Sequence, residues 1–129
     1  MFVDSLLQSL TLLYLILVLG QSGIDKLLDY RGNLSYFQNQ FKNSPLGPTV
    51  GLLLPAITLM EVGSAVLAAV GLVAIWTNGS SLPGMAATAL GSLNFICLIF
   101  GQRVAKDYGS AAGIVPYLGI ALFGLYCFS

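Results

Sequence analysis

Glu61 is the only charged side chain between Asn43 and Gln102, and it falls near the middle of an apolar run, Val50 to Trp76. A carboxylate in such surroundings is costly unless it is neutralised, paired or used. Three more polar side chains fall near the middle of the other apolar runs: Tyr14, Asn94 and Tyr117. If the runs pack antiparallel, the four reach a common depth. A carboxyl, an amide and two phenols there could relay a proton or anchor the headgroup of a small ligand. The plainer reading is a neutral Glu61 that donates a hydrogen bond to Asn94 or to a tyrosine and holds the helices in register. The nearest bases by connectivity, Lys26 and Arg103, are expected about 15 Å or more from Glu61 along the axis, counted at 1.5 Å per residue. On that count Glu61 has no cationic partner at its own depth.

Other chemistry is sparse. The chain has no His, so a zinc or haem site built from this chain alone is not expected. It contains no nucleophile elbow, phosphate loop or carboxylate dyad, so it shows no independent enzymatic signature. Cys97 and Cys127 belong to opposite ends of their runs, roughly 15–20 Å apart along the axis, whereas a disulfide needs Cα atoms within about 7 Å. They read as two thiols in apolar surroundings.

The elements that must position these residues follow from composition. The 129 residues are 57% hydrophobic and 8% charged, with formal net charge zero and mean hydropathy +0.87. Soluble domains carry about a quarter charged residues, so the chain reads as an integral membrane protein, and its neutrality offers nothing to a nucleic acid. Four apolar runs, Ser5 to Ile24, Val50 to Trp76, Pro83 to Gln102 and Gly109 to Phe128, each approach the roughly 20 residues that cross a bilayer. The first lacks a basic leader and carries Asp4, so it is read as retained rather than as a cleaved signal. Backbone groups in lipid must pair within the segment, which requires helices. The expected fold is all-α: one antiparallel four-helix transmembrane domain over residues 1–129, with helices at about 5–26, 48–76, 83–102 and 109–128.

Between the first two spans, Leu34, Phe37 and Phe41 recur at helical spacing. Ser35 with Gln38 resembles a capping box. A short amphipathic helix in the interface is one reading, with Lys42 reaching the headgroups, and an ordered loop is the other. Pro55 and Pro116 interrupt the second and fourth spans. Four inward faces follow from helical phase: Tyr14, Gln21 and Asp25; Thr58, Glu61, Ser64 and Ala68; Ala87, Gly91, Asn94 and Gly101; Gly113, Tyr117, Ala121 and Gly124. Gly47 with Gly51 and Gly109 with Gly113 have the spacing of helix-pairing motifs. Lys26, Arg31, Lys42, Arg103 and Lys106 all fall in the first and third connections. The positive-inside rule then sets those connections in the cytoplasm and both termini outside.

Three stretches are shared with a known family: Gly23-Ile24-Asp25-Lys26-Leu27, then Tyr36-Phe37 through Phe41-Lys42-Asn43-Ser44-Pro45-Leu46-Gly47, then Glu61-Val62-Gly63. In that order they resemble the DoxX family of small four-helix membrane proteins, over nearly the whole chain. The resemblance implies a bacterial or archaeal plasma membrane and makes Lys26 and Glu61 the family-typical positions. Some relatives are membrane subunits linked to thiosulfate:quinone oxidoreduction or to oxidative-stress proteins. Relatives often begin with a basic N-terminus, where this chain has Met1-Phe2-Val3-Asp4; the charge count is followed here.

The leading expectation is an accessory subunit of a quinone-linked or other redox membrane complex, with membrane-protein partners and with any quinone held in the complex. The alternatives are a non-catalytic scaffold or assembly factor, and a small-molecule binder or transporter.

Overall fold

The computed structural model describes residues 2–128, with side chains from residue 3 onward. The order is α1 (Phe2–Leu28), α2 (Tyr30–Phe41), a 3₁₀ turn (Gly47–Thr49), α3 (Val50–Thr77), α4 (Leu82–Val104) and α5 (Tyr108–Cys127). No strand occurs among the described residues. The four long helices, with spans Val3–Leu28, Gly47–Thr77, Leu82–Val104 and Tyr108–Cys127, are long and apolar enough to cross a membrane. That is the architecture of a multi-pass membrane protein. Leu17, Leu52, Leu59 and Leu82 are exposed on the outside of the bundle, as side chains that meet lipid would be.

Side-chain contacts fix the register of each helix pair. Gly23 faces Val62, Gly20 faces Ala65, and Trp76 Nε1 donates to Ser9 Oγ at 2.8 Å. Equal steps on α1 thus match equal steps on α3, and the two run antiparallel. Gly71 meets the backbone of Gly84, setting α3 against α4. Thr88 faces Gly124, and Phe95 stacks on Tyr117 with ring centroids 5.9 Å apart, setting α4 against α5. Gln8 Nε2 donates to the Cys127 carbonyl at 2.8 Å and closes α1 on α5. Leu12, Leu15, Leu19, Ala68, Ala87, Phe95, Ala121 and Phe128 form the buried core.

The inward stripe of α3 is Leu54, Thr58, Glu61, Ser64, Ala68, Gly71 and Ala74, all buried, and it contains the face expected from helical phase. On α4, Ala87, Gly91 and Asn94 are buried as expected. On α1 the stripe differs. Leu12, Leu15, Leu19, Gly23 and Lys26 point inward, while Gln21 and Asp25 are exposed and Tyr14 is half-buried. On α5, Ala121 and Gly124 face the core, but Tyr117 is exposed rather than inward, and so is Gly113, with open space beside it. Gly51 and Gly113 therefore pair with nothing inside this bundle. The close approaches are at Gly23, Gly71, Gly84 and Gly124 instead.

The segment after α1 is helical, but its start differs from the expected capping box. Asp29 is the N-cap, its side chain accepting from the Gly32 amide, and Ser35 and Gln38 lie inside α2. An aspartate six residues before that serine wins because it satisfies a free amide of the first turn and sits favourably at the positive end of the helix dipole. Phe41 is buried and lies within reach of Gly101 on α4. Gln40 Nε2 donates to Gln102 Oε1 and to Asp107 Oδ2, which straps α2 to the α4–α5 turn. That turn closes with Lys106 at φ 63°, a left-handed cap that Gly fills more readily.

Candidate functional site

Glu61 is wholly buried, and it is not alone. Lys26 Nζ lies 3.0 Å from Glu61 Oε1 and donates to Oε2 at 3.3 Å. The Lys26 side chain is itself only 9% exposed. Its ammonium also donates to Ser22 Oγ at 2.8 Å, one turn back on α1. This corrects the expectation that the nearest base lies about 15 Å or more away. Two things undo that count. Helix α1 runs on to Leu28, past its expected end, and Gly23 lets its backbone close on α3. A Cβ added at Gly23 would lie 2.8 Å from Val62 Cγ2 and 3.6 Å from Glu61 Cβ. Lys26, one turn beyond Gly23, lands on the inward stripe at the level of Glu61. Glu61 lies near the middle of α3, as expected, and it is the end of α1 that reaches this level.

The other three residues of the expected layer divide. In the register set by Gly71 and Gly84, Asn94 falls opposite Glu61. Tyr117 stacks on Phe95, the neighbour of Asn94. In the register of α1 on α3, Tyr14 falls opposite Gly71, about 15 Å along the axis from Glu61. Its ring reaches Tyr117 at 6.3 Å between centroids. Glu61, Asn94 and Tyr117 thus share a level, and Tyr14 stands next to them toward the termini.

The polar side chains of the core are not equally satisfied. Thr58, Thr88 and Ser92 donate back to carbonyls one turn earlier, of Leu54, Gly84 and Thr88, as hydroxyls in helices do. Ser64 Oγ and both amide atoms of Asn94 are buried without a hydrogen bond, whereas Glu61 Oε1 is held by the Lys26 ammonium. The hydrogen bond expected between Glu61 and Asn94 is not formed, because the carboxylate turns to Lys26.

Two cavities flank the ion pair. The first, about 440 Å³, lies between α2, α3 and α4. Phe37, Phe41, Leu53, Ile57, Met60 and Phe100 line it, and Lys26 is the only charged residue on its wall. The second, also about 440 Å³, lies between α1, α4 and α5. Gln21, Ser22, Asp25, Glu61, Phe95 and Tyr117 line it. Lys26 belongs to the apolar wall and Glu61 to the polar one, so the ion pair is the partition between them. Neither cavity was foreseen from the sequence. Gln21 and Asp25 had been assigned to an inward face; they line the second cavity instead of the core.

Cys97 is free and lines the apolar cavity, and Cys127 is free at the other end of the bundle. Among the described residues no group of His, Cys, Asp or Glu could hold a metal ion. Outside the spans, Asp107 caps α5 by accepting from the Ser110 hydroxyl at 2.7 Å and the Ser110 amide at 3.2 Å. Those bonds, with that from Gln40, hold its carboxyl below the usual aspartate range.

Fold and site together define an all-α bundle of four helices of membrane-crossing length, built around a buried lysine–glutamate pair with a cavity on either side. No family model matches the chain, and neither a curated protein nor a solved structure matches it.

Proposed function

We propose that the chain is a membrane-embedded accessory subunit of a redox complex, and that its apolar cavity takes a hydrophobic ligand with a carbonyl headgroup, of the quinone class. The observation that carries this reading is the apolar cavity with a single ammonium, Lys26, on its wall. Its volume falls within the range of small-ligand pockets, about 300–1,000 Å³. Aromatic rings from α2 form one side, and a cation held by Glu61 can donate to a carbonyl oxygen without leaving its partner. The resemblance to the DoxX family supports the redox setting and a bacterial or archaeal plasma membrane. With Lys26 buried in the bundle, the four remaining basic residues, Arg31, Lys42, Arg103 and Lys106, all lie at the α2 end, which supports a cytoplasmic position for that end and an outer position for both termini. Electrons would come from a partner subunit.

Cys97 reports on occupancy. Decylubiquinone has a fully substituted ring, so it does not add to thiols and can be used as the probe. In detergent-solubilised protein it should slow alkylation of Cys97 by N-ethylmaleimide several-fold and leave Cys127 unchanged. Replacing Ile57 by Trp, which fills the cavity, should remove the quinone effect. Equal alkylation of Cys97 with and without quinone would sink the ligand reading. A non-catalytic scaffold is the second reading, and the open exterior at Gly113 and Gly119 favours it, because helices of a partner can approach closely there.

A further inference from the structure

The polar cavity has no part in the ligand reading, yet the ion pair forms its inner wall. Its lining carries Gln21, Ser22 and Asp25 from one side of α1, and of these Gln21 and Asp25 are exposed. Asp25 and Gln21 therefore open it to the surroundings near the charged end, and Glu61 closes it inside. Ser22 belongs to this wall and accepts from Lys26 Nζ. Lys26 meanwhile reaches the apolar cavity. One short chain, Ser22 to Lys26 to Glu61, thus touches both spaces.

The unsatisfied atoms bear on the same point independently. Ser64 Oγ and both Asn94 amide atoms are buried without a protein hydrogen bond, and Asn94 falls at the level of Glu61. Each such group left dry costs about 1–3 kcal/mol. Buried water resolves that cost wherever a polar space supplies partners. The polar cavity, bounded by two carboxyls, a hydroxyl, an amide and a phenol, is such a space; Glu61 lines it, and Asn94 adjoins Phe95 of its wall without lining it.

We infer that the polar cavity is a hydrated vestibule through which the Lys26–Glu61 pair exchanges protons with water on the side of the charged connections, and only on that side. The opposite end is shut by packed side chains, with Phe128 against Gly84 and Thr11 against Gly124. Glu61 exposes no surface of its own, so the last transfer runs through Ser22, which accepts from Lys26. The titratable or charged groups around the pair are Asp25 on α1, Tyr117 on α5 and, on the apolar side, the Cys97 thiol on α4. From α4 the cavity wall receives Phe95 and Leu98, neither of which titrates, and α2 meets the pair's apolar side with Phe37 and Phe41. The step is a proton exchange alone: a proton bound at the pair leaves to water, and another returns. The inference rests on the position of the pair and not on the ligand proposed for the other cavity.

Two measurements test it in membrane vesicles of one orientation. The first uses chains carrying Cys97→Ser and Cys127→Ser with one new cysteine each: Gln21→Cys, Asp25→Cys or, on the exposed face of α1, Leu17→Cys. A membrane-impermeant quaternary-ammonium methanethiosulfonate, added on the side of the charged connections, should modify Gln21→Cys and Asp25→Cys at least tenfold faster than Leu17→Cys. Addition on the other side should modify none. If Gln21→Cys is as inert as Leu17→Cys, the vestibule is dry and the inference fails.

The second measurement uses Lys26→Met, which frees Glu61, and dicyclohexylcarbodiimide, which reacts with the protonated carboxyl. Peptide mass spectrometry should show Glu61 modification rising as pH is lowered on the charged side, with no response to pH on the other side. Control by the opposite side, or by both sides equally, would overturn the one-sided access. Lack of quinone protection at Cys97 would remove the ligand reading and leave both of these results intact.

Discussion

Removing Lys26 should be far more damaging than removing the pair. Lys26 and Glu61 sit 3.0 Å apart, with 9% and 0% of their side chains exposed. At an effective dielectric of about 20, unit charges at that distance attract by roughly 5 kcal/mol. Desolvation of the two ions costs several kcal/mol each, so the intact pair contributes little net stability. Lys26→Met deletes the attraction and leaves the desolvation of Glu61, a loss of about 3–5 kcal/mol on the precedent of broken buried pairs. The double variant Lys26→Met with Glu61→Leu removes both terms and should return to within about 1–2 kcal/mol of the parent. The assay is reversible unfolding in mixed detergent micelles, followed by far-ultraviolet circular dichroism. Glu61→Leu strands the Lys26 ammonium and should cost about as much as Lys26→Met, so the cycle should give a coupling of about 4–9 kcal/mol. Losses of Lys26→Met and Glu61→Leu that simply add in the double variant would refute the reasoning, for they would mean that the two side chains do not depend on each other.

Three further outcomes follow from local geometry. A Cβ at Gly71 would lie 2.7 Å from the Gly84 backbone nitrogen, so Gly71→Ala should destabilise by about 1–3 kcal/mol, whereas Gly113→Ala, facing open space, should be neutral or stabilise by about 0.5–1 kcal/mol; melting temperatures of the two variants decide. Lys106→Gly relieves the left-handed backbone at φ 63° and should raise stability by about 1 kcal/mol, measured in the same micelles. Asp107, held below the usual aspartate range by Ser110 and then Gln40, adds stability that is fully present above the unfolded-state value and is lost as pH falls through the lowered folded value; Asp107→Asn should flatten that acid-side slope of the unfolding midpoint, and an unchanged slope would remove Asp107 from the account.

The four spans were legible because long apolar runs in a charge-poor chain admit few other folds. The inward face of α3 was legible too, since Thr58, Glu61, Ser64 and Ala68 stand out against Leu and Val at helical spacing. On α1 the same logic failed. Tyr14, Gln21 and Asp25 mark a polar edge, but the core stripe is Leu12, Leu15 and Leu19, and nothing in a leucine tells a lipid-facing position from a core one. The partner of Glu61 was missed because depth was counted from assumed span centres. Register is instead set by where backbones can touch, and Gly23 against Val62 is a contact between segments far apart in sequence. The cap of α2 was misplaced because Ser35 and Gln38 fit a capping pattern, while Asp29 lies just past the first span and ahead of the apolar repeat that begins at Leu34. Neither cavity was legible, because a cavity is what several helices fail to fill.

The distribution of close contacts along the bundle gives it unequal stiffness. Around the chain ends, Trp76 is bonded to Ser9 and Gln8 to Cys127, with glycines 71, 84 and 124 drawing three helix pairs together. Toward α2 two cavities separate the same helices, which are held there by Gly23 against Val62, the ion pair and the Gln40 strap. The molecule is therefore a clothes-peg whose spring lies at the termini and whose jaws carry the lysine and the glutamate. Any partner that grips the jaw end changes both volumes at once, while one that binds at the spring leaves them as they are.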